Sequence, residues 1–117
     1  MIELKSGDFL VFQVESGFGV LRVLSVEEVD EPIVHVRAYE DLFFEVDHAL
    51  SAINTGKKMK TAIPHVALTQ RAFESTQTSR IASKTLTEDE LAAYLAWGRS
   101  AEKPVSDRSI RLLLGLR

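Results

Sequence analysis

"ESGFGVLRVL", residues 15–24, decides the fold. Two glycines flank a phenylalanine, Gly17-Phe18-Gly19, and alternating large apolar residues follow. A glycine loop that cradles phosphate leads into a helix, whose first amides point at the anion. Here the glycines lead into a strand-like run and no lysine follows, so the stretch is predicted to be a hairpin. Gly17 and Gly19 would supply positive φ at the turn, with Phe18 capping the end of the sheet or exposed at its tip.

Working outward, Lys5-Ser6-Gly7-Asp8 has turn chemistry, and residues 9–15 alternate Leu10, Phe12 and Val14 with Val11, Gln13 and Glu15, which predicts a first strand. Residues 20–26 make a second, apolar on both faces except at Arg22, as suits a strand covered on both sides. The acidic link 27–32 ends in Pro32, which fits a strand entrance. Residues 33–39 predict a third strand, with Val34, Val36 and Ala38 on one face and His35, Arg37 and Tyr39 on the other. Three strands joined by short polar turns read as an antiparallel meander.

Beyond Tyr39 the spacing predicts a strand or apolar crossing at 42–46, a short helix capped by Asp47 and running to Ile53, and a basic loop at 57–60. Extended residues at 63–68, a helical turn after Thr69 and a late strand at 80–82 follow. Thr87-Glu88-Asp89-Glu90 has the form of a capping box, in which threonine oxygen and glutamate carboxylate each satisfy an amide at the helix start. That helix is predicted to stop at Gly98, and a last one to run from a Ser106 cap to Gly115. Leu112 and Leu116 lie off its apolar stripe, so the leucine-rich tail either covers the sheet or meets another copy of the chain. The fold class expected is α+β: one domain over residues 1–117, strand-rich over 1–46, mixed over 47–85 and helical over 86–117. Its curved antiparallel sheet would be packed by C-terminal helices, with closure into an SH3-like barrel as an open alternative.

Composition narrows the function. Apolar residues at 45% and charged residues at 26% are those of a globular domain, not a disordered chain. No cysteine is present, which removes disulfides, thiolate metal sites and cysteine nucleophiles together. No apolar run has the length of a membrane span and the first residues do not read as a signal peptide, so a cytoplasmic location is expected. Charge is lopsided: residues 1–50 hold three cations and eleven acids, a net −8, while residues 51–117 hold eleven cations and six acids, a net +5. The halves either neutralise each other or present an acidic face to a basic partner.

Catalytic patterns are missing. His35, His48 and His65, with Asp41, Glu45 and Asp47 as further oxygen donors, match no zinc spacing, so no metal and no cofactor is expected. Ser16 lies in no nucleophile elbow, and "NTGKKMK", residues 54–60, lacks the first glycine and the magnesium-binding hydroxyl of a P-loop. Lys57, Lys58, Lys60, Arg71, Arg80 and Lys84 would suit nucleic acid if they gathered on one surface. The acidity of the strand-rich half opposes that alternative.

"KSGDFLVFQVESGFGVLRVL", residues 5–24, resembles the start of the immunity protein 26 family of bacterial polymorphic toxin systems, through Gly7, Asp8, Gly17, Phe18, Gly19, Arg22 and Val23. "PHVALTQRAFE", residues 64–74, and "LTEDELAAYLAWGRS", residues 86–100, look like parts of small bacterial proteins with the same layout. The resemblance implies a non-enzymatic protein that binds and neutralises a toxin. On that reading Asp30, Glu31, Glu40, Asp41, Glu45 and Asp47 would steer a basic partner, and Phe18 or Tyr39 would anchor it.

Overall fold

The computed structural model describes residues 3–28 and 30–116; Met1, Ile2, Val29 and Arg117, which the reading of the chain start, the acidic link and the charge balance includes, lie outside them. The opening stretch is a hairpin between β1 (Asp8–Val14) and β2 (Gly17–Glu27). Val14 pairs with Gly17, so the turn is Glu15-Ser16 and both glycines already belong to β2. Only Gly17 has the expected positive φ, 153°, and a Cβ there would collide with the carbonyl oxygen of Phe43. Gly19 is needed for a different reason: the Phe12 ring rests where its Cβ would stand.

β3 (Ile33–Phe43) pairs with β2 along its length. It is longer than the expected 33–39, because the 42–46 run continues the strand up to Phe43. α1 (Val46–Asn54) follows, with Glu45 in the N-cap position. The Asp47 cap expected from sequence is therefore corrected: Asp47 lies inside the first turn, where the positive end of the helix dipole suits a carboxylate.

β4 (Thr61–Thr69), α2 (Gln70–Glu74), β5 (Ser79–Ser83), α3 (Glu88–Arg99) and α4 (Ile110–Leu113) complete the order. The sheet is antiparallel, ordered β4-β3-β2-β1-β5, and open, with β4 and β5 as its edges instead of a closed barrel. Pro64, which cannot donate to a ladder, sits in an edge strand as expected of proline. Register slips in β2 against β3, at 19–21 and 23–25, add local twist and curve the sheet.

Two apolar layers flank the sheet. Leu10, Phe12, Val14, Leu21, Val23, Val34, Val36 and Ala38 form the first, closed by Ala72 of α2 and Ile110 of α4. Phe9, Val11, Val20, Tyr39 and Phe43 form the second, closed by Ala49, Ala52 and Ile53 of α1. Leu113, Leu114 and Leu116 pack on the first layer, so the tail covers the sheet, and Leu112 is left exposed. A single exposed leucine is ordinary surface and does not call for a second copy.

Caps fix the helix starts. Thr69 accepts from the Ala72 amide, and Thr87 and Glu90 form both halves of the capping box. Gly98 does not end α3, which runs on to Arg99. The last helix is capped by Ser109, not Ser106. Ser106 instead lies along β4, donating to the Ala67 carbonyl at 2.8 Å and accepting from Thr69 at 3.0 Å, so it covers part of that edge. Among the described residues no helix is long and apolar enough to cross a membrane.

Candidate functional site

The residues expected to meet a partner fall in three places. Phe18 pairs across the ladder with Phe43 and packs, half-buried, on the second layer, and Tyr39 is only 7% exposed. Tyr39 is thus withdrawn from a partner and Phe18 is open only in part: the pleat that brings His35 and Arg37 to that face brings Tyr39 beneath α1. Asp30 and Glu31 are exposed in the link between β2 and β3. Glu40, Asp41, Glu45 and Asp47 surround the corner between β3 and α1 at the other end of that hairpin.

At this corner the aromatic that is turned outward is Phe44. It is 78% exposed, with Leu42 beside it at 46%, because Phe43 between them points into the second layer. Asp41 accepts the Lys60 amide at 2.7 Å, and the Glu40 carboxylate lies 3.6 Å from the Lys60 ammonium, both groups being largely exposed. Glu45 and Asp47 are exposed and form no ion pair among the described residues. Among the described residues Phe44 is the most exposed large apolar side chain, and the four acidic residues lie within four positions of it in the chain. Sequence reasoning missed Phe44 because the run Leu42-Phe43-Phe44 does not reveal which ring the strand turns inward.

The cations of the second half are not pooled. Arg71 pairs with Asp107, Arg80 approaches Asp8 at 3.5 Å and donates to the Glu3 carbonyl, and Lys84 donates to the Ile53 carbonyl at 2.6 Å. Lys57 lies over the Phe43 ring and Lys60 serves the acidic corner. Among the six basic residues considered for nucleic acid, Lys58 alone has no such partner among the described residues.

A second cluster lies beneath α3, a helix with no fully buried residue of its own. Arg22, 3% exposed, stacks on Phe9 and donates to the carbonyls of Gly7 and Lys84 and to the Glu90 carboxylate at 2.6 Å. Further along, His35 is fully buried, with Nε2 at 2.7 Å from Glu27 and Nδ1 at 2.9 Å from Nε2 of His65. Tyr94 and Trp97 of α3 close over both imidazoles, with ring centroids 4.6 and 4.7 Å from that of His35.

Burial holds the His35 imidazole below its ordinary value, outweighing the hydrogen bond and the charge of Glu27. Burial, then the neighbouring His35, brings His65 down to about 4. Both rings are neutral at pH 7, and the network assigns the tautomers: His35 Nε2–H donates to Glu27, and His65 Nε2–H donates to His35 Nδ1. Both nitrogens of His35 are thus committed, and among the described residues no hydroxyl or thiol nucleophile is hydrogen-bonded to either ring. The arrangement fastens a helix to a sheet. His48, the third histidine considered for a metal, is exposed on α1, and no group of three or more ligating side chains among the described residues could hold a metal ion.

Residues 5–24 also have structural work. The Asp8 carboxylate accepts the Lys5 amide at 2.9 Å, and Arg22 ties β2 to the Gly7 carbonyl. Compared with protein-family models, with curated proteins and with solved structures, the chain matches none of them.

Proposed function

We propose that this chain is a non-enzymatic protein-binding domain that docks a basic protein on the β3–α1 corner. Neutralisation of a basic toxin, which the resemblance of residues 5–24 implies, is the most concrete form of that reading. The observation that carries it is Phe44, 78% exposed among Glu40, Asp41, Glu45 and Asp47. Buried aromatic anchors supply much of the energy of protein interfaces, and burying one phenylalanine side chain contributes about 1.5–3 kcal/mol. Surrounding carboxylates speed encounter with a basic surface and select against acidic ones. Phe44 therefore takes the anchoring role expected of Phe18 or Tyr39. The dispersal of the second-half cations into ion pairs and carbonyl contacts weighs against a nucleic-acid surface.

The test sets three immobilised proteins side by side: the parent, Phe44→Ala, and a charge-reversed variant with lysine at Glu40, Asp41, Glu45 and Asp47. Each is challenged with nuclease-treated lysate of its own source at low salt. A stoichiometric basic protein held by the parent, released as salt rises and lost from both variants is expected. Equal retention by all three, or bound material that disappears with nuclease, would overturn the proposal.

A further inference from the structure

At the opposite end of the β2–β3 hairpin from Phe44, a cavity of about 500 Å³ opens between the sheet and α2. That volume is in the range of small-molecule sites, which runs from about 300 to 1,000 Å³. Val26 and Val34 contribute apolar strand side chains and Phe73 of α2 an aromatic one, while Glu3, Glu28 and Glu74 add acidic residues. None of these three carboxylates is in an ion pair among the described residues. The nearby Arg80 guanidinium is already committed to the Glu3 carbonyl and Asp8.

An apolar stem would cover the valines and phenylalanine, and a positive charge would answer the carboxylates. We infer that this cavity binds a small organic cation with an apolar stem, of the alkylammonium class. This site does not depend on the β3–α1 corner.

The probe is hexylammonium chloride, titrated into the ¹⁵N-labelled protein beside hexanol and sodium hexanoate at matched ionic strength, with the amides of Phe73, Thr76 and Thr78 followed by NMR. Saturable shifts for the cation are expected, with affinity roughly tenfold above the alcohol, as one charge-assisted contact supplies, and weakest binding for the carboxylate. Replacing Glu28 and Glu74 by glutamine should bring the cation down to the alcohol. Should the glutamine variant not fold, the parent still decides: added salt must weaken hexylammonium and leave hexanol unchanged. Absence of saturation, equal affinity for cation and alcohol, or a preference untouched by both the glutamines and salt would overturn the inference.

Discussion

Two regions of one sheet are held by different physics. Beneath α2 and α4 the contact is apolar: Ile110, 1% exposed, closes a layer of leucines, valines and phenylalanine. Beneath α3 it is polar and aromatic: a buried arginine clamped to Glu90, and a histidine pair roofed by Tyr94 and Trp97. An apolar layer tolerates a lost atom in proportion to the cavity left behind. A polar layer fails in larger steps, because removing one partner leaves the others buried and unpaired.

The sharpest break in that contrast is Arg22→Ala, which strands Glu90 and the carbonyls of Gly7 and Lys84. Urea unfolding should show a loss of about 3–5 kcal/mol, and a loss below that of a surface substitution would mean the clamp contributes nothing net. In the apolar region, Ile110→Ala should cost about 2–4 kcal/mol by the same measurement. If it cost less than a cap substitution, α4 would not be closing the layer.

Acidity should separate the regions more gently. The histidine pKa values lie lower in the folded chain than the ordinary 6.5, so the unfolded chain binds more protons between that value and about 4. Stability is then complete above pH 6.5 and is lost as pH falls through that window, by about 2 kcal/mol for His65 once the full shift is discounted for the partial exposure of its ring. His65→Phe should flatten the slope of unfolding free energy against pH; an unchanged slope would place the titration elsewhere. The smallest effect is expected at Thr87→Ala, which removes one half of the capping box that starts α3, at about 1 kcal/mol in thermal unfolding.

The same contrast explains what was legible in the sequence. The β1–β3 meander and its apolar face were readable because period-two alternation is local, and the Thr69 and Thr87 caps because each N-cap and its amide lie three residues apart. The place of β5 beside β1 was not, since the late strand at 80–82 carries no mark of its neighbour. Arg22 read as a blemish in an apolar row because its partner Glu90 is 68 residues away. His35 and His65 stood 30 residues apart with no ligand spacing to join them. Tyr39 looked available because burial by α1 is a tertiary fact, whereas the acidic residues Glu40, Asp41, Glu45 and Asp47 were visible in the chain although the exposed ring of Phe44 was not.

Trp97 is the only indole in the chain, and it stands edge-on to the His35 ring, with its Nε1–H donating to the Pro104 carbonyl at 2.9 Å. An imidazolium accepts an electron from an excited indole far more readily than a neutral imidazole does. The protein is therefore expected to carry its own optical gauge: its emission should dim as the ring beside it takes up a proton, and its colour should shift when α3 leaves the sheet. No dye or label is needed to watch one helix leave the sheet.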